Sequence, residues 1–105
     1  MAEWKYIEKW FDYKIEVKKS GNWFIYGYSM HKECNGVISP ATSKHGIYPT
    51  ERQALLKAID EVLDFFLQKH YSGFSPEEKI IKVPKKIFDS IYKLKYQEGE
   101  LFPDF

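Results

Sequence analysis

Trp23-Phe24-Ile25-Tyr26-Gly27-Tyr28, followed downstream by Tyr48-Pro49-Thr50-Glu51-Arg52-Gln53-Ala54, decides the architecture. The first segment is aromatic and β-branched, a composition that suits a pleated, half-buried surface. The second opens a helix. Thr50-x-x-Gln53 has capping-box spacing, and Glu51 suits the positive end of a helix dipole. Ala54, Leu55, Ala58, Ile59, Val62, Leu63 and Phe66 then recur at helical spacing. Lys57, Asp60, Glu61, Asp64 and Gln68 take the opposite side, so the helix over 51–68 is amphipathic. The stretch reads as a sheet with a helix laid across it.

Upstream, Phe11, Tyr13, Ile15 and Val17 alternate with Asp12, Lys14, Glu16 and Lys18, the period-two pattern of a half-buried strand. Lys19-Ser20-Gly21-Asn22 supplies the turn residues that join it to the aromatic strand as a hairpin. A two- or four-residue loop pairs odd positions of the first strand with even positions of the second. Phe24, Tyr26 and Tyr28 then share a face with Tyr13, Ile15 and Val17, and Trp23 and Ile25 fall among Lys14, Glu16 and Lys18. A three-residue loop with a bulge reverses this.

Gly36-Val37-Ile38-Ser39-Pro40 reads as a third, short strand, with Pro40 at its end or on a sheet edge. Residues 41–46 read as a loop and Ile47-Tyr48 as a strand stub. Residues 2–9 read as a short helix with Trp4 and Ile7 on one side. Ser75-Pro76-Glu77-Glu78 has the form of a helix start that Pro84 ends, and residues 85–96 form a further helix.

The fold expectation is therefore α+β. A three-stranded antiparallel sheet (11–18, 23–30 and 36–40) carries one long amphipathic helix, and two short C-terminal helices follow. Residues 1–96 form a single α+β domain and 97–105 a flexible acidic tail. A chain of 105 residues suits one domain able to bury a core without metals or disulfides.

Composition narrows the function classes. Aromatic residues make up 18% of the chain, enough for some rings to serve a partner surface. The net charge of +1 gives no global attraction to nucleic acid or anionic membrane. Arg52 is the sole arginine, which disfavours bidentate reading of guanine and leaves phosphate contact through lysine open. Cys34 is the only cysteine, so no intrachain disulfide forms and a reducing compartment fits. The charged start shows no signal peptide and no run approaches a membrane span, so a soluble, cytoplasmic protein is expected.

Few residues carry a chemical signal. His31-x-x-Cys34 with His45 has ligand-like spacing, but a structural zinc site takes four ligands and no second cysteine exists. A Cys34–His45 nucleophile pair lacks a signature around the cysteine. No glycine-rich phosphate loop is present. The expectation is no catalytic residue, no metal site, no cofactor, no small-molecule ligand and no enzyme.

The segment from Gly21-Asn22-Trp23 to Gly46-Ile47-Tyr48-Pro49-Thr50-Glu51-Arg52-Gln53-Ala54 resembles the arm-type DNA-binding module at the N-terminus of phage integrases. It is also similar to small accessory domains of phage and mobile-element proteins. The resemblance implies a hairpin sheet that contacts DNA. This chain departs from the integrase module in its less basic sheet and missing arginines. Two functional expectations follow. One is a non-catalytic binding or accessory protein of phage or mobile-element type that contacts nucleic acid through a sheet face and lysines. The alternative is a protein-interaction module, as a homodimer or with another partner, that uses exposed aromatics. Trp23 and Ile25 with Lys14 and Lys18 are the candidate binding residues, joined by Lys85 and Lys86 of the basic C-terminal helix.

Overall fold

The computed structural model describes residues 2–33, 35–68, 71–72 and 79–96. Four strands, β1 (Ala2–Glu8), β2 (Phe11–Ser20), β3 (Trp23–Lys32) and β4 (Asn35–Thr42), form an antiparallel sheet in the order of the chain. A 3-10 turn, Ser43–His45, leads toward helix α1 (Glu51–Leu67). Two short strands, β5 (Tyr71–Ser72) and β6 (Lys79–Ile80), pair with each other before helix α2 (Lys85–Leu94). Among the described residues the protein is α+β, with a four-stranded sheet and two helices.

This corrects the expectation of three strands and three helices. Residues 2–8 are a strand paired with β2 from Ala2↔Val17 to Glu8↔Phe11. Trp4 and Tyr6 lie on the covered side while Glu3, Lys5 and Ile7 are exposed, a period of two that the Trp4/Ile7 spacing disguised. The β1–β2 turn was equally hidden. Lys9 adopts a left-handed φ of 51°, at a position where glycine or asparagine ordinarily marks the turn. The helix expected between Ser75 and Pro84 is absent at 79–83, where β6 and irregular chain stand; its proposed start lies outside the described residues. The acidic tail at 97–105 also lies outside them.

The β2–β3 hairpin has a two-residue loop, Gly21–Asn22, and its register sets Ile15 opposite Tyr28 and Val17 opposite Tyr26. Odd positions of β2 and even positions of β3 therefore share a face, and α1 packs on that face. The core joins Tyr13, Ile15, Val17, Tyr26 and Met30 to Ala54, Leu55, Ala58, Ile59, Val62, Phe65 and Phe66, with Ile87 and Ile91 closing it from α2. Leu63 is only half-buried, and Phe65 takes the place the helical stripe assigned to it. Thr50 caps α1, its Oγ1 accepting from the Gln53 N–H at 3.1 Å. Tyr13 reaches α2, where its hydroxyl lies 2.6 Å from Ser90 Oγ.

The other end of α1 is held from the sheet. No basic residue stands in the last turn of α1. Instead Lys32, on the core side of β3 and 1% exposed, donates through Nζ to the Phe66 carbonyl at 3.3 Å and to the Gln68 carbonyl. Cations favour the negative end of a helix. Burial lowers the Lys32 pKa from its ordinary value.

Candidate binding face

Both helices lie against one side of the sheet, and among the described residues no helix covers the other. The register builds this outer face row by row. Ile7, Asp12, His31 and Gly36 form one row, and Lys5, Lys14, Ser29 and Ile38 the next. Glu3, Glu16 and Gly27 follow, then Lys18 beside Ile25, and Trp23 beside Ser20 at the end of the hairpin.

Trp23, Ile25, Lys14 and Lys18 are thus brought together on one face. Trp23 is 46% exposed and Ile25 half-buried. Lys85 and Lys86 are not part of it. They open α2 on the helix-covered side and point to solvent there. The face carries two apolar residues that the sequence reading did not select, Ile7 at 69% and Ile38 at 75% exposure. Trp10, in the β1–β2 turn, is exposed as well. Extending the two-residue period across β1 and β4 finds Ile7 and Ile38; the helix-like Trp4/Ile7 spacing hides the first.

Charge on the face is balanced. Lys5, Lys14 and Lys18 stand among Glu3, Asp12 and Glu16. Lys14 Nζ lies 3.4 Å from Glu3 Oε2, and Asp12 Oδ1 accepts from His31 Nδ1 at 2.8 Å. A depression of about 170 Å³ opens in the middle, lined by Lys14, Glu16, Ser29, Ile38 and Pro40.

One wall of that depression is a bulge. Tyr26 pairs with Thr42 but Tyr28 with Ser39, so β4 holds one residue more than β3 across this step. The extra chain, Pro40–Ala41, folds over Gly27. A Cβ on Gly27 would meet the backbone of Ala41 and lie 2.6 Å from the Pro40 carbonyl carbon. Pro40 has no N–H to satisfy, and the Ala41 N–H points to Glu16 Oε1 at 3.4 Å. Gly27 is therefore the residue the bulge requires.

His45 supports the same segment from the covered side. Its Nδ1 donates to the Tyr26 carbonyl at 2.7 Å, and its Nε2 lies 2.7 Å from Ser39 Oγ. The ring stacks on Tyr26 at 4.8 Å and Tyr28 at 5.4 Å, and Tyr48 donates to the His45 carbonyl at 2.9 Å. Burial, reinforced by the charge of Glu61, raises the pKa of Tyr26 and Tyr28. Serine and histidine in this arrangement resemble half of a nucleophile system. Here the pair ties the edge strand to the core, with the imidazole stacked on Tyr26 and Tyr28.

His31 lies on the outer face and His45 on the covered one, and Cys34 is outside the described residues. Among the described residues no group of three potential ligands is gathered. No described helix is long and apolar enough to cross a membrane. Comparison with protein-family models, curated proteins and solved structures gives no match.

Proposed function

We propose that this protein is a non-catalytic binding module that meets a protein partner through the outer face of its sheet. The observation that carries this reading is the composition of the face. Trp23, Ile25, Ile7 and Ile38 stand exposed or half-exposed among lysines and carboxylates in equal number. Phosphate backbones attract uncompensated cations, whereas protein interfaces take mixed charge around apolar anchors. Trp23 is a suitable anchor, and the isoleucines add apolar area, once a partner excludes water.

A second reading rests on Trp23 sharing its face with Lys14 and Lys18. That trio suits a single-stranded nucleic acid, with a base stacked on the indole and lysines at the phosphates. The likeness to arm-type modules supports it. The balanced charge and the position of Lys85 and Lys86 on the opposite layer weigh against it.

One experiment separates the two. The protein is used to capture partners from its native host, with and without nuclease. A protein retained after nuclease, and lost with Trp23→Ala or Ile38→Asp, supports the first reading. Salt-sensitive quenching of tryptophan fluorescence by short DNA, abolished by Trp23→Ala and Lys14→Ala, would replace it with the second.

A further inference from the structure

The sheet has two edges, β1 and β4, and each presents unpaired backbone groups that invite another strand. They are not equally defended. β4 has Pro40, a bulge and the Glu16 side chain at its Ala41 N–H. β1 has no proline, no glycine and no break in register along its seven residues.

We propose that β1 pairs antiparallel with β1 of a second copy, about a two-fold axis at Trp4, joining two four-stranded sheets into one continuous sheet. The charges of β1 select the axis. Centred on Trp4, Glu3 of each copy stands opposite Lys5 of the other, a reciprocal pair of opposite charges. Centred on Glu3 or on Lys5, like charges meet; centred on Tyr6, Lys5 faces Ile7 and gains no opposite charge. Within one copy Lys5 already lies opposite Lys14, and Glu3 opposite Glu16. Like charges in cross-strand positions are unfavourable; the Lys14–Glu3 pair offsets part of this within one copy, and a second β1 adds an opposite charge to each row.

The side chains of the covered face fit the same axis. A groove of about 440 Å³ runs beside β1 under α2, lined by Trp4, Tyr13, Ser90, Lys93 and Leu94. With Trp4 opposite Trp4, the two grooves adjoin across the axis. Residues that face each other across an antiparallel ladder share a side, so both outer faces turn the same way. The dimer presents one doubled face. This inference does not depend on what that face binds.

Sedimentation and light scattering over a wide concentration range test it. The wild type is expected to dimerise. Glu3→Lys alone, or Lys5→Glu alone, sets like charges at both reciprocal positions and should weaken association by about tenfold or more. An equimolar mixture of the two variants restores opposite charges at every position, and heterodimer should form at wild-type concentrations. Thermal melts establish that each variant is folded. Ile38→Asp, on the outer face, should leave the dimer unchanged. A wild type that stays monomeric throughout, a dimer indifferent to both charge reversals, or a mixture that fails to recover would each overturn the pairing. So would loss of the dimer in Ile38→Asp, which would move the contact to the outer face.

Discussion

Replacing Gly27 by alanine asks how firmly β4 is folded over β3. The added methyl would sit 2.6 Å from the Pro40 carbonyl carbon and 2.8 Å from the Ser39 carbonyl oxygen, all of it backbone. Ordinary contact begins near 3.4 Å, and the Ala41 nitrogen is nearer still than the Pro40 carbon, so β4 has to retreat by more than about 0.8 Å, the difference between 3.4 and 2.6 Å. Overpacking of this kind costs about 1–3 kcal/mol. The retreat also strains the Glu16 bond to the Ala41 N–H and the Ser39–His45 bond, each worth about 1 kcal/mol. The sum is about 3–5 kcal/mol, which at a urea slope near 2 kcal/mol/M lowers the unfolding midpoint by about 1.5–2.5 M. Gly21→Ala is the matched control. Gly21 has a φ of 64° and open space around its Cβ position, so its cost is conformational alone, about 1 kcal/mol. Midpoints for the two variants that coincide would refute the account of the bulge.

The remaining expectations concern the core, the helix ends and alkaline stability. Phe66→Ala should cost about 3–5 kcal/mol in urea unfolding, and half-buried Leu63→Ala clearly less; the reverse order would misplace the helix on the sheet. Thr50→Ala should lose about 1 kcal/mol, and equal stability would remove the cap from the account. Lys32→Met keeps the stem but leaves the Phe66 and Gln68 carbonyls without its ammonium, a loss of about 1–3 kcal/mol; faster amide exchange in the last turn of α1 is the local signature, and protection equal to wild type would discount the contact. Tyr13, Tyr26 and Tyr28 have pKa values raised by burial above 10.0. Their contribution to stability is complete below pH 10.0 and is lost as pH rises toward the folded values, because the unfolded chain releases these protons first. Tyrosinate absorbance should therefore show a fraction of rings that ionise only as the fold is lost; ionisation of every ring before unfolding would contradict their burial.

Legibility in the sequence followed local signal strength. The β2–β3 hairpin announced its own turn with Gly21-Asn22, and its alternation placed Trp23 and Ile25 on the face of Lys14 and Lys18, where they stand. Thr50 and the apolar stripe marked α1 within a residue of its ends. β1 escaped because its turn is Lys9-Trp10, with left-handed backbone at a lysine, and because Ile7 interrupts its polar side. Once β1 is read as a helix, Lys5, Ile7 and the edge itself vanish from the candidate face. The β4 bulge depends on one residue of mismatch between partners, which neither strand carries alone. Lys32 was legible only in part. The alternation Tyr26, Tyr28, Met30, Lys32 points it inward, but its reason for being there is the end of a helix more than thirty residues away, since Lys32 bonds Phe66 and Gln68.

Strand β3 touches both ends of α1, and this makes the two elements gauges of each other's length. Near the helix start, Phe24 and Tyr48 exchange backbone hydrogen bonds of 2.8 and 2.9 Å, two residues before the Thr50 cap. Near the helix finish stands Lys32. The strand from Phe24 to Lys32 covers eight steps, roughly 26 Å at a strand rise near 3.3 Å. The helix from Glu51 to Leu67 covers sixteen, roughly 24 Å at 1.5 Å each. The spans agree to within one strand step. A two-residue insertion in β3 preserves its alternation yet lengthens it by roughly 7 Å, so one clasp has to open while the other stays shut. Adding about four residues to α1 would bring the spans back into step, at roughly 6 Å per turn-sized insertion. Related chains that differ in length here are expected to change both elements together, in the ratio of about two residues of strand to four of helix.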